Sequence, residues 1–193
     1  MNISKIPAVF AALLVSVAAA CGETPSGPGE NPAAGEVRFT YTSANSTLAG
    51  TFQAKGAPLP TGGTDRQWAA GTRSDDPDQV LAFGIVPLSG ESYDQVAVHF
   101  PGSGVGTYSA GAACEGDHCA GVAFSLGTST GGVPTWVCVS VAGNVEVTSS
   151  AADRVRGKFS GTLHCYSPAA PGQQPVLEMT GGTFDVALVE LPE

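Results

Sequence analysis

Apolar side chains recur at every second position through most of the chain after Glu36, and this period of two is the strongest constraint on its fold. In the clearest stretch, 155–166, one phase is apolar or glycine and the other is polar. Such alternation places successive side chains on opposite faces of a β-strand. No helical period is sustained over about 11 residues, and turn-forming residues recur about every 8–12 residues. The sequence therefore predicts an all-β fold, an antiparallel Greek-key-like sandwich, with a closed or partly closed barrel as the alternative.

The strand segments differ in how many of their faces are apolar. The run 80–88 (VLAFGIVPL) is apolar on both faces, as expected of a central strand. The other segments have one apolar face, which we expect to point inward with these side chains: Val37, Phe39 and Tyr41; Val96, Val98 and Phe100; Val122, Phe124 and Leu126; Val155, Phe159, Leu163 and Cys165.

Two glycine-containing pairs predict local features of the strands. Gly143-Asn144 separates two apolar runs, as in the two-residue loops of tight hairpins, so the sequence predicts a turn there. Near the carboxyl end, the apolar phase changes between Met179 and Phe184. One inserted residue would let both halves face inward, and we therefore expect a β-bulge at Gly181-Gly182.

The first 21 residues have the organisation of an export signal. Lys5 is followed by the apolar run 6–17 and by three alanines, which precede Cys21. The run is shorter than the roughly 20 residues that span a bilayer, so it predicts a cleaved signal peptide. Small residues before a cysteine resemble the lipobox of bacterial lipoproteins, and this resemblance implies that Cys21 is acylated, for example with palmitate. Ala18 stands where a lipobox usually has leucine, and ordinary cleavage to a secreted protein is the alternative.

The cysteine count agrees with an acylated Cys21. There are five cysteines, and acylation of one leaves an even set for disulfides, which are favoured on export through an oxidising compartment. We expect Cys114–Cys119, which brackets four residues between two strands, and Cys138–Cys165, whose members both fall on inward faces. The alternative is a metal site in the first loop, built from Cys114, Asp117, His118 and Cys119. Its spacing is unlike that of structural zinc, so no metal and no other cofactor is expected.

The chain divides into three parts. Residues 22–35 contain three prolines, four glycines and no large apolar residue, a composition that predicts a tether. We therefore expect a signal peptide (1–20), an anchor cysteine with its tether (21–35) and a single β domain (36–193).

The mature chain is acidic. Residues 1–20 contain one lysine and no acid, so seven of the eight basic residues and all 17 acidic residues remain, giving a net charge of −10. This charge argues against binding to nucleic acid or to an anionic lipid surface. Contact with the membrane is therefore expected through the N-terminal lipid, with the domain in the bacterial cell envelope, periplasmic or surface-facing. A further partner would be a protein or a glycan.

The body of the chain carries a second resemblance, through three glycine-containing patterns: Gly35-x-Val37-x-Phe39, Gly157-x-Phe159-x-Gly161 and Thr180-Gly181-Gly182-Thr183-Phe184-x-Val186. On these patterns, residues 35–189 resemble a domain of unknown function that is common in bacterial lipoproteins. The resemblance implies an all-β fold and supplies no activity and no functional residues.

Catalytic and metal-binding motifs are absent from the sequence. The run 101–106 (PGSGVG) matches neither a nucleophile elbow nor a dinucleotide-binding loop. The acidic segment 74–79 (SDDPDQ) lacks the glycine and the terminal glutamate of a calcium loop, and we expect both segments to be turns. His99 and His164 occupy the polar phase of their strands, which predicts solvated positions.

We expect a domain with a binding or structural role and no catalytic residues. Val137, Val139 and Val141, with Tyr166, form a possible surface patch, and a second buried face is the alternative interpretation of the valine stripe. Two other functions are weighed against this one. The first is an exported hydrolase that assembles a site from Asp75, His99 and His164, and the second is a barrel that holds a small apolar ligand.

Overall fold

The computed structural model describes residues 34–57, 64–75, 78–102, 104–111, 114, 119–129 and 131–189. The predicted signal peptide, Cys21 and the tether up to residue 33 lie outside these residues. No helix in the described ranges is long and apolar enough to cross a bilayer. The strands are β1 (Gly35–Ser43), β2 (Ala49–Gly56), β3 (Trp68–Asp75), β4 (Asp78–Pro87), β5 (Ser92–Pro101), β6 (Gly106–Ser109), β7 (Gly121–Ser129), β8 (Trp136–Ser150), β9 (Arg154–Tyr166) and β10 (Val176–Ala187).

All ten strands belong to one sheet, in which every paired neighbour is antiparallel. The order is β2-β1-β10-β9-β8-β7-β5-β4-β3, and the short β6 pairs with the second half of β8. The prediction of an all-β antiparallel fold is confirmed.

The sheet curls until its β3 edge returns to β1 and β10, which gives a nearly closed barrel with an unsealed seam. At the seam a parallel bridge joins Gly71 to Leu188, and the Val189 N–H donates to the Gly71 carbonyl oxygen at 2.8 Å. Small residues allow the close approach, since a Cβ on Gly84 would lie 2.7 Å from the Cβ of Ala54. Packing therefore replaces a hydrogen-bonded ladder at the seam, and the partly closed barrel is the arrangement adopted.

Phenylalanine rings from both halves of the curled sheet meet in its interior. Phe39 on β1 and Phe52 on β2 contact Phe124 on β7 at centroid distances of 4.9 and 5.6 Å. Phe100 on β5 stacks on Phe184 of β10 at 5.3 Å. These rings are buried, so side chains fill the centre of the barrel. The predicted inward phases are confirmed by the burial of Val37, Val96, Val98, Val122, Leu126, Val155, Phe159, Leu163 and Cys165.

Part of the outer face of β3, β4 and β5 is also buried. A second apolar cluster lies there, composed of Trp68, Ala70, Phe83, Ile85 and Tyr93. On β4, Val80 and Ala82 belong to the interior cluster, while Phe83 and Ile85 belong to the outer one. β4 therefore packs apolar side chains on both faces, as its sequence predicts, whereas Leu88 lies beyond the end of the strand and is exposed.

The bulge expected in the last strand is present. Between Met179 and Gly182, β10 contains one more residue than the facing segment of β9. Gly181 has a φ of 62°, in the left-handed region that glycine adopts readily. Met179 before the bulge and Phe184 after it are both buried, so the extra residue corrects the phase as predicted.

The hairpin predicted at Gly143-Asn144 is wrong, because β8 continues through both residues and pairs with β9 along its length. Gly143 lies opposite Gly161. A Cβ on Gly143 would overlap the Ser160 backbone, and one on Gly161 would overlap the Ala142 backbone. The glycines therefore permit a close approach of two long strands at this point, and they do not form a turn.

The other two predicted turns connect strands. Segment 74–79 joins β3 to β4, with Asp75 paired to Asp78 and residues 76 and 77 outside the described ranges. Segment 101–106 joins β5 to β6.

Replacing Gly181 by alanine tests the backbone conformation of the bulge. A Cβ at this position meets nothing within 4 Å, so the substitution adds no clash. A left-handed conformation costs a non-glycine residue about 1 kcal/mol, and we expect the free energy of unfolding in urea to fall by about that amount. Gly172→Ala is the matched control, because it also has open space and no left-handed φ. Equal losses in the two variants would contradict the bulge.

Candidate functional site

Four cysteines are joined in two disulfide bonds, Cys114–Cys119 and Cys138–Cys165, which are the pairs favoured by the sequence. Cys138 and Cys165 face each other in register across β8 and β9 and are fully buried. The Cα atoms of Cys114 and Cys119 lie 5.6 Å apart in the connection between β6 and β7. Such bonds persist in oxidising compartments.

The metal site considered for the loop 114–119 loses its thiolate ligands, since Cys114 and Cys119 are bonded to each other. Asp117 and His118 lie outside the described residues. Within the part of the chain that the structure describes, no group of three His, Cys, Asp or Glu residues is arranged to hold a metal ion.

The residues of the hydrolase alternative lie on three different strands. Asp75 ends β3, His99 lies on β5 and His164 lies on β9. β4 separates the first two strands, and β7 and β8 separate the last two. The sheet therefore places none of the three residues on adjacent strands.

His99 lies on the outer face of β5 but is largely removed from water. Its neighbours in the sheet are Leu81 on β4 and Gly121 on β7, and Leu81 packs against the outer apolar cluster. Burial lowers the pKa of the His99 imidazole from 6.5 to about 4. The predicted solvated position is therefore wrong for His99, because apolar packing continues across this part of the outer face. His164 is half-buried.

The predicted surface patch lies on the outer face of β8 and β9. Val137 pairs with Tyr166 and Val139 pairs with His164, and all four side chains are half-buried. Val141 is also half-buried, but it occupies an irregularity where the β8–β9 register shifts. The patch is therefore a strip two strands wide, with Val141 outside the regular alternation.

A further cluster lies at one end of the barrel interior, and we call it the rim: Tyr41, Leu48, Val86, Asp94 and Trp136. Val86 and Asp94 are paired directly across β4 and β5. The Tyr41 ring contacts Phe124 of β7 at a centroid distance of 5.2 Å. Two residues further along β7, Leu126 pairs with Trp136. The rim thus joins the ends of β1, β4, β5, β7 and β8, at the opposite end from Gly35, where β1 begins.

Asp94 is the acidic residue of the rim. One of its carboxylate oxygens accepts a hydrogen bond from the Gly127 N–H at 2.8 Å, where the β5–β7 register shifts. Burial raises the pKa of Asp94, although the Gly127 hydrogen bond acts in the opposite direction. The pKa of Tyr41 is raised by burial and also by the charge of Asp94. The carboxylate and the phenol therefore lie within electrostatic reach of each other.

The phase of β5 is the sequence signal that identifies Asp94. Asp94 is separated by two residues from Val96 and by four from Val98, so the alternation that turns these valines inward also turns Asp94 inward. The closeness of Tyr41 to Asp94, by contrast, depends on how the whole sheet curls. Alternation within single strands carries no information about that curvature.

Comparisons of the chain with protein-family models, curated proteins and solved structures find no match.

The two disulfides are expected to stabilise the fold to different extents. Cys138–Cys165 has a sequence separation of 27 residues and Cys114–Cys119 a separation of 5. In the chain-entropy treatment, closure of the longer loop contributes about 3–4 kcal/mol and closure of the shorter one about 2 kcal/mol. We expect Cys138→Ala/Cys165→Ala to lower the free energy of unfolding in urea more than Cys114→Ala/Cys119→Ala does. The reverse order would contradict this ranking.

Burial of His99 is expected to make stability depend on pH. The folded imidazole has a pKa of about 4 against an ordinary value of 6.5, so the unfolded chain binds more protons between these values. Stability therefore falls as the pH is lowered through this window, by on the order of 2–3 kcal/mol from this residue. His99→Gln should remove that part of the change in urea unfolding between pH 7 and pH 4. His164→Gln is the matched control, and equal effects of the two substitutions would contradict the assignment to His99.

Proposed function

We propose that this protein is a bacterial lipoprotein of the cell envelope, anchored through acylated Cys21, whose β domain acts by binding. The observation that carries the proposal is the pairing of the four other cysteines with one another. Acylation of Cys21 consequently removes no disulfide partner from the fold. The export signal before Cys21 and the two disulfides both agree with passage into an oxidising compartment.

The point at which the chain enters the domain supports an anchor. β1 begins at Gly35, and Arg154 donates a hydrogen bond to the Ala34 carbonyl oxygen at 3.3 Å. The Pro/Gly-rich tether between Cys21 and Gly35 has an average reach of about 20 Å. Since the rim lies at the other end of the barrel, we expect an anchored domain to turn the rim away from the membrane.

Binding is favoured over catalysis by the positions of the polar residues. Asp75, His99 and His164 lie on strands that are not adjacent. Phenylalanine rings fill the barrel centre, which gives no support to the alternative of a deep apolar ligand cavity. Two surfaces have the mixed polar and apolar chemistry of a contact site, namely the rim and the patch on β8 and β9.

Metabolic labelling with an alkyne-tagged palmitate tests the anchor. The wild-type protein is expected to incorporate the label and to fractionate with membranes. Cys21→Ser should lose both properties, because a serine at this position offers no thiol for acylation. In-gel fluorescence of the tag and immunoblots of the membrane and soluble fractions measure the two outcomes.

Ala18→Leu is the matched control for the leader, since it introduces the residue that a lipobox usually has at this position. We expect it to label at least as strongly as the wild type. Label that persists in Cys21→Ser, or a wild-type protein recovered without label in the soluble fraction, would refute the anchor.

A further inference from the structure

We propose that the rim binds an alkylammonium group, through the charge of Asp94 and the aromatic rings of Tyr41 and Trp136. The inference rests on the proposed function, because it names a ligand for a domain that we propose to act by binding. Three placements in the rim carry it: a carboxylate that has no basic partner among the described residues, two aromatic side chains and a set of aliphatic neighbours.

The carboxylate of Asp94 is held by a neutral donor. It accepts its hydrogen bond from the Gly127 N–H, at 2.8 Å. Asp185, by comparison, forms ion pairs with both Arg154 and Arg156 on the outer face of the sheet. Among the described residues, Asp94 forms no such pair. The single amide hydrogen bond compensates only part of the charge of the ionised carboxylate, and a cation that enters the rim would compensate the rest.

Two aromatic side chains reach the rim from other strands. The Tyr41 ring lies against Phe124. Its hydroxyl lies over Gly50, where a Cβ would come within 2.8 Å of the phenol oxygen. Glycine at position 50 therefore leaves the space that the phenol occupies. Trp136 begins β8 and is half-buried against the interior cluster. Aromatic faces attract ammonium groups, and they do so more strongly where water is partly excluded.

The aliphatic neighbours favour an organic cation over a metal ion. Val86 lies directly opposite Asp94, and Leu48 packs against the same interior cluster. Calcium requires six to eight oxygen ligands, and Asp94 is the carboxylate that the rim provides. An alkylammonium group instead places its charge beside Asp94 and its methylene or methyl groups against the apolar side chains.

Calorimetric titration of the full acylated protein in a neutral detergent tests the site. The probes are n-butylammonium and tetramethylammonium, and n-butanol is the uncharged control ligand of similar shape. We expect saturable binding of both cations. We expect n-butanol to bind about tenfold more weakly than n-butylammonium, because it carries no charge to compensate that of Asp94. Equal affinities for n-butanol and n-butylammonium would overturn the proposal, and this comparison needs no variant.

Asp94→Asn removes the charge and keeps an oxygen that can accept the Gly127 hydrogen bond. We expect it to bind n-butylammonium about tenfold more weakly than the wild type does. Asp153→Asn is the matched control, because it removes an exposed carboxylate near the opposite end of the barrel and should bind as the wild type does. Unchanged binding by Asp94→Asn, or equal losses in both variants, would overturn the assignment to Asp94.

The two proposals fail in different experiments. A wild-type protein without palmitate label that still binds n-butylammonium would refute the anchor and leave the rim site standing. A labelled, membrane-bound protein that binds neither cation would overturn the rim site and leave the anchor standing.

Discussion

The contact between phenylalanine rings from the two halves of the sheet is the interaction on which the architecture depends. The outermost strands, β2 and β3, do not pair with each other, so a backbone ladder does not close the barrel. Closure comes from Phe39 and Phe52 against Phe124, and from Phe100 against Phe184. Burial of each ring contributes roughly 1.5–3 kcal/mol. Because this attraction has little directionality, it holds the two halves together although the seam has one parallel bridge, between Gly71 and Leu188, in place of a continuous ladder.

Glycines on the inward faces make room for these rings. Gly157 pairs with Phe184, and Gly182 pairs with Phe159. A Cβ on Gly157 would overlap the Phe184 ring, and one on Gly182 would lie 2.7 Å from an atom of the Phe159 ring. Each ring therefore covers a glycine of the neighbouring strand, an arrangement known to stabilise glycine in sheets. Core packing therefore accounts for Gly157 and Gly182 without a ligand.

The sequence predicted features that depend on neighbouring residues, and it missed features that depend on contacts between residues far apart in the chain. Alternation is local, so it predicted the inward phases, the bulge at Gly181-Gly182 and the facing positions of Cys138 and Cys165. The signal at Gly143-Asn144 was misleading because glycine serves a turn and a close strand approach equally well. The burial of His99 and the approach of Tyr41 to Asp94 depend on strand order and curvature, which bring together residues far apart in the chain.

The rim is placed beside the most constrained part of the fold. Trp136 and Cys138 are successive inward residues of β8, and the disulfide to Cys165 joins β8 to β9 directly behind the rim. Strand ends that are already held rigidly lose little conformational freedom when a ligand binds, and this favours high affinity. Partial burial of Asp94 costs free energy in the unliganded protein, and the Gly127 hydrogen bond offsets only part of this cost. A cation bound in the rim would offset the remaining cost, so the proposed ligand would stabilise the folded domain as well as occupy its site.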